Sequence, residues 1–256
     1  MAATSTSETP TPGGRLRAIV VAVAVVIVGF VLGIVITLLA AFALSGLGIR
    51  VSLTAATVLG LVALQGVGFP LTTLAYLRLR GITFGSFVHT RLPTLRDVGW
   101  IVGGYLLVLL LVFAVVIAIA SVGAPTASRA NQAAFQDAGT LIWLVPLSFL
   151  LIGPGEELLF RGVVQGRLRE SFGPVGAVIL ASASFAPAHI LALNGSIQAL
   201  AVSIGVLFVP ALVLGTAYER TDNLWVPIII HGAYDATLFG IVYLTLRYGA
   251  TQPAVF

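Results

Sequence analysis

Residues 141–162 read LIWLVPLSFLLIGPGEELLFRG, an apolar run that continues into two adjacent carboxylates and an arginine. About 20 apolar residues, at roughly 1.5 Å of rise each, cross a hydrocarbon core of about 30 Å. The stretch therefore reads as part of a membrane-crossing helix that carries ionisable side chains within its length, where they are costly.

The rest of the chain agrees. Its 256 residues are 59% hydrophobic and only 9% charged, with a mean hydropathy of +1.09, whereas soluble domains are about 25% charged. Spans marked by charged and Gly/Pro interruptions run Ala18–Leu44, Thr54–Leu77, Val98–Ala120, Thr140–Leu168, Gly173–Leu193, Ile197–Tyr218 and Leu224–Leu246. This pattern predicts an all-α polytopic bundle of about seven transmembrane helices with no soluble domain.

Arginine sets the orientation, because the chain contains no lysine. Arg15, Arg17, Arg78, Arg80, Arg91, Arg96, Arg167, Arg169 and Arg220 fall on one side of the predicted spans, and Arg50, Arg129 and Arg247 on the other. The positive-inside rule then places the N-terminus in the cytoplasm. The net charge of +4 describes topology and not nucleic-acid binding. Arg161 is the one arginine left deep within a span.

Residues 1–17 begin with the polar stretch MAATSTSETPTPGG and read as a disordered cytoplasmic tail. The apolar stretch behind it is about twice the 7–15-residue core of a signal peptide, which predicts an uncleaved first helix. Residues 18–139 would hold the N-terminal helices and their loops, 140–246 a core of helices that carries the intramembrane ionisable groups, and 247–256 a short tail. The absence of cysteine removes disulfides, thiolate catalysis and Cys-based zinc sites. The interruption Arg78–Asp97, with Phe84, Phe87 and Val88 among basic residues, is expected on the membrane surface, with His89 as an interfacial group.

An ionised side chain at the bilayer centre costs at least about 2.5 kcal/mol on insertion scales, so each one present should face a partner or a water-filled cavity. Glu157 and Arg161, four apart on one helix face, can neutralise each other. That leaves Glu156, about 100° away around the helix, in need of its own partner. The remaining intramembrane groups are His189 in SFAPAH and His231 and Asp235 in HGAYD, the last two on one helix face. Counted from the arginine-rich side, Glu156 lies at roughly 18 Å, His231 at roughly 10 Å and Asp235 at roughly 16 Å, whereas His189 comes out near 24 Å. A carboxylate in such a pocket is suited to activating water, with histidine sharing its proton or binding a metal. Hydrolysis of a carbonyl also needs a donor for the oxyanion.

These residues, EExxxR at Glu156, Glu157 and Arg161, FxxxH at Phe185 and His189, and HxxxD at His231 and Asp235, resemble the three ordered motifs of the CPBP family. That family comprises the type II CAAX prenyl endopeptidases and the bacterial Abi proteins associated with bacteriocin processing and self-immunity. The resemblance implies that Glu156 and His189 activate the attacking water, that His231 and Asp235 stabilise the oxyanion, and that Glu157 and Arg161 hold the site together. It leaves two chemistries open, a metal-free glutamate mechanism and a divalent metal such as zinc on Glu156, His189, His231 and Asp235. The family's last motif position is typically Asn, whose amide donates, whereas Asp235 donates only when protonated.

The chain is thus expected to be an intramembrane endopeptidase in the plasma membrane of a prokaryotic-type cell, with membrane lipid around it and a peptide or protein as substrate. The competing readings are a proton- or ion-coupled transporter, in which the same groups form a relay, and an inactive membrane scaffold or immunity factor.

Overall fold

The computed structural model describes residues 12–129 and 137–248. Six helical runs are long and apolar enough to cross a membrane. The first three are α1 (Pro12–Gly46), α2 (Leu53–Leu79) and α3 (Leu95–Ser121). The fourth, Ala138–Ala192, is 55 residues long, nearly three times the roughly 20 residues that a bilayer needs. It breaks at Gly173, whose φ of 68° lies in the left-handed region that glycine enters without a Cβ penalty. The break, followed at once by Pro174, divides it into α4 (138–172) and α5 (174–192). With α6 (Ile197–Thr221) and α7 (Trp225–Tyr248) the described chain makes the seven crossings expected.

Oxygen-bearing side chains set the helix starts. The Ser52 and Ser196 hydroxyls accept from Ala55 N–H and Ala199 N–H, each at 3.2 Å, and Thr94 and Asp97 form a reciprocal capping box at the head of α3. Asp137 caps α4. The Thr140 hydroxyl, then the backbone N–H groups of Thr140 and Gly139 and the Thr54 hydroxyl, hold its carboxyl below the usual range.

Lipid tails are as apolar as leucine, so helix association in a membrane rests on close contact and interhelical hydrogen bonds. Glycines supply the close contact around α4. A Cβ on Gly155 would collide with the backbone carbonyl of Gln65 in α2, and one on Gly153 would lie 2.9 Å from the Ile228 carbonyl oxygen of α7. From the other side, a Cβ on Gly232 would lie 3.1 Å from the Ser148 carbonyl oxygen. The GPG that opens GPGEELLFRG thus brings α4 backbone to backbone with both neighbours. Phe69, Leu159, Phe160, Val163, Ala177, Ala181 and Phe185 fill the space among α2, α4 and α5. Large apolar side chains such as Leu39, Phe42, Leu110 and Phe113 face outward, as lipid-facing positions should.

Most arginines gather at one end. Arg80 and Arg167 pair with Glu170 at 2.7 and 2.8 Å, Arg169 pairs with Glu219 at 2.6 Å, and Arg91 pairs with Asp97. Arg15 lies over the Phe172 ring. At the opposite end, Ser128–Arg129 and Leu193–Asn194 form a two-residue antiparallel bridge.

Three expectations change. Helix α1 begins at Pro12, inside the segment expected as tail, nearly two turns before the apolar run; residues 1–11 and 249–256 lie outside the described residues. The segment after α2 is anchored on the bundle: Val88 is fully buried beside Gly162, and Phe87 packs on Gly166. His89 is more than interfacial, since its Nδ1 meets Asp222 Oδ1 at 2.6 Å and its carbonyl accepts from Leu224 N–H.

Candidate active site

All six ionisable residues singled out from the sequence come together near the middle of α4. Glu156 and Glu157 sit on α4 in a short α-helical segment, Gly153–Glu157, between two π-helical ones, Ser148–Ile152 and Leu158–Gln165. Such π segments recur at functional sites because they re-aim side chains within a helix.

Glu157 and Arg161 form the sealed half. Arg161 Nη1 donates to Glu157 Oε1 at 3.1 Å and Nη2 to the Ala211 carbonyl at 3.2 Å, with the guanidinium 4.6 Å from the centre of the Phe185 ring. Glu157 Oε1 also accepts from His231 Nδ1 at 2.7 Å. Glu157 is completely buried and Arg161 is 1% exposed. The ion pair expected at i, i+4 is present, and it has a second effect: with Nδ1–H on Glu157, the Nε2 edge of His231 turns toward Glu156.

Glu156 forms the open half. Its Oε1 accepts from Gln65 Nε2 at 2.7 Å, whereas Oε2 is buried without a hydrogen-bond partner. Two imidazoles face that free oxygen, His189 Nε2 and His231 Nε2, each at 3.8 Å. Asp235 Oδ2 lies 3.5 Å from His231 Nε2. Side-chain exposure rises from 0% at Glu157 through 10% at Glu156 to 16% at Asp235 and 27% at His189. The site is therefore sealed at Glu157 and most exposed at His189, just before the strand Leu193–Asn194.

His189 reaches this level despite its apparent excess depth. Its Nδ1 lies 3.0 Å from the Phe185 carbonyl oxygen, an acceptor only, so Nδ1 carries the proton and Nε2 a lone pair. Helical side chains lean toward the helix N-terminus. Leaning back by about one turn, roughly 5 Å, brings the imidazole level with Glu156. The Phe185 ring stands 4.7 Å from the His189 ring and 6.0 Å from that of His231, so it spaces the two histidines.

Two site residues are missing from the sequence reading because they do not ionise. Gln65 is the partner that Glu156 required. Gln165, 1% exposed, donates to the Gly215 carbonyl at 3.0 Å and ties α4 to α6 one turn beyond Arg161. The available signal for Gln65 was an amide inside the apolar run GLVALQGVG, flanked by glycines that permit close backbone approach.

The donors include imidazole and carboxylate, which divalent ions accept. Among the described residues, however, no group of three or more His, Asp or Glu side chains is disposed to hold a metal ion.

A family model described as Type II CAAX prenyl endopeptidase Rce1-like matches residues 138–237. The matched segment runs from the start of α4 past Asp235 and so includes all six ionisable site residues. No curated protein and no solved structure matches the chain. Together with a bundle of helices able to cross a membrane, this segment is similar to a family of membrane proteases.

Proposed function

We propose that the chain is an intramembrane endopeptidase in which Glu156 activates water for attack on a peptide bond. The observation that carries this reading is the free Oε2 of Glu156, buried and faced by two imidazole Nε2 atoms at 3.8 Å. A water molecule there gives one proton to Oε2, with His189 Nε2 as a second acceptor on the accessible side. Its oxygen adds to the carbonyl carbon and the carbonyl becomes an oxyanion. His231 stabilises this charge when doubly protonated, donating from Nε2 while Nδ1–H stays on Glu157. Asp235, if protonated, adds a second donor. The proton then passes to the amide nitrogen, the C–N bond breaks, and an acid and an amine leave. General base catalysis of this kind contributes roughly 10²–10⁴-fold.

Substrate approaches from the open side, beside His189 and Asp235. The arginine distribution supports a cytoplasmic N-terminus, so the opening faces the outer half of the bilayer. The chain has no cysteine, so single cysteines report topology cleanly. Thr83→Cys should resist an impermeant reagent in intact cells while Ser128→Cys reacts; the reverse pattern inverts the orientation.

Activity is tested by comparing membrane-embedded peptides incubated with wild type and with Glu156→Ala. New peptide termini made only by wild type support the endopeptidase. Proton-coupled flux lost on Glu156→Ala, with no cleavage by either protein, supports a transporter instead.

A further inference from the structure

The Glu156 carboxylate has two chemically equivalent oxygens, and a base works only if one of them is held free in the right direction. Gln65 Nε2 donates to Oε1 at 2.7 Å, and Oε2 is left facing both imidazoles. The Gln65 side chain is not placed by chance. It lies in the π-helical segment Val62–Gly68 of α2, is only 7% exposed, and comes from a backbone in contact with Gly155, the residue before Glu156. Gly68 meets Gly33 of α1 on the same segment, where a Cβ would lie 2.9 Å from the Gly33 Cα, so α2 is fixed on both sides.

We infer that Gln65 is a positioning residue for the hydrolysis: it holds Glu156 through Oε1 and thereby presents Oε2 to the attacking water. This inference rests on the endopeptidase reading above. A carboxylate rotated by a half-turn of its last torsion is chemically unchanged, so what Gln65 supplies is direction and the loss of competing rotamers. The Gln65 Oε1 atom is itself buried without a partner.

The contrast with Glu157 supports the assignment. Glu157 Oε1 receives charged or potentially charged donors, Arg161 and His231. Glu156 Oε1 receives a neutral amide, which orients a carboxylate without neutralising it. A guanidinium in place of Gln65 would hold the same oxygen but would quench the base.

The test uses the full-length protein in bilayer discs with a peptide that wild type cleaves and Glu156→Ala does not. Gln65→Leu keeps the volume and removes the donor. Its kcat per folded molecule should fall about 10- to 100-fold, the scale of a hydrogen bond to a charged group, beyond any loss of thermal stability, while KM stays near wild type. Gln65→Glu places a second carboxyl against Glu156, and two carboxyls at that distance share a proton. Its activity should be low in acid and recover as pH rises and the shared proton leaves. A structural role predicts instead that kcat follows the folded fraction with an unchanged pH profile, and that result overturns the inference. So does wild-type kcat in both variants. Absence of any Glu156-dependent cleavage by wild type defeats the endopeptidase reading and this inference with it, and is distinguishable because no variant is needed to see it.

Discussion

The arginine-rich end of the bundle and the pocket at its centre are the two places where this apolar chain concentrates charge, and they handle it in opposite ways. At the end, each ion pair is partly exposed: Arg80 and Glu170 are both 34% exposed, and Arg169 and Glu219 are 46% and 21% exposed. For these two pairs water shares the solvation and removing a partner strands little, whereas the Arg91–Asp97 pair has one exposed and one buried member. At the centre, one guanidinium and two imidazoles meet three carboxylates, and Arg161 and Glu157 are almost wholly sealed. Charges that only stabilised a bundle would be at the end, where they are cheap. Those at the centre need another reason to exist, and the free oxygen of Glu156 supplies one.

That contrast predicts a steep gradient of mutational effects. Arg161→Ala should have the largest effect on stability, about 3–5 kcal/mol, because it strands the buried Glu157 carboxylate. It also loosens the acceptor that orients His231, so yield, melting temperature and activity should fall together. Normal stability with activity abolished would move Arg161 into the chemistry itself.

Asp235→Asn comes next. Asp235 lies at the open rim, 3.5 Å from His231 Nε2. If it acts as a neutral donor, the amide keeps that donor in nearly the same shape, and activity should survive within about tenfold, the scale of one exchanged hydrogen bond. Metal content of purified wild type and Asp235→Asn, measured beside chelator-treated activity, checks this. A stoichiometric divalent metal whose loss tracks activity in both proteins would contradict the metal-free scheme.

Glu170→Gln should matter least. It removes the partner of Arg80 and Arg167 at the exposed end, and surface pairs of this kind contribute about 0–1 kcal/mol. A loss comparable to that of Arg161→Ala, seen by thermal melting in bilayers, would erase the distinction between end and centre.

Much of this gradient was legible in the amino-acid order. Apolar runs between arginines gave seven crossings, and the i, i+4 spacings of Glu157 with Arg161 and of His231 with Asp235 placed each pair on one helix face. What could not be read was how helices meet. Glu156 demanded a partner, yet the amide that meets it lies 91 positions away in another helix and carries no charge to mark it. His189 looked too deep because depth counted along Cα atoms ignores a side chain that leans back toward its own helix start. The π segments that aim Gln65 and Arg161 also left no mark, since they alter hydrogen-bond register without a residue type of their own. Nor did the basic composition of 78–97 reveal that Val88 would be buried under α4.

The most direct test of the central claim is hydrolysis in heavy-oxygen water by wild type and Glu156→Gln in bilayers. Wild type should place one heavy oxygen in the new carboxyl terminus, and Glu156→Gln, folded to the same melting temperature, should do so roughly 10²–10⁴-fold more slowly. Cleavage by Glu156→Gln at the wild-type rate, with the same label in the product, would show that another group activates the water and would contradict the account.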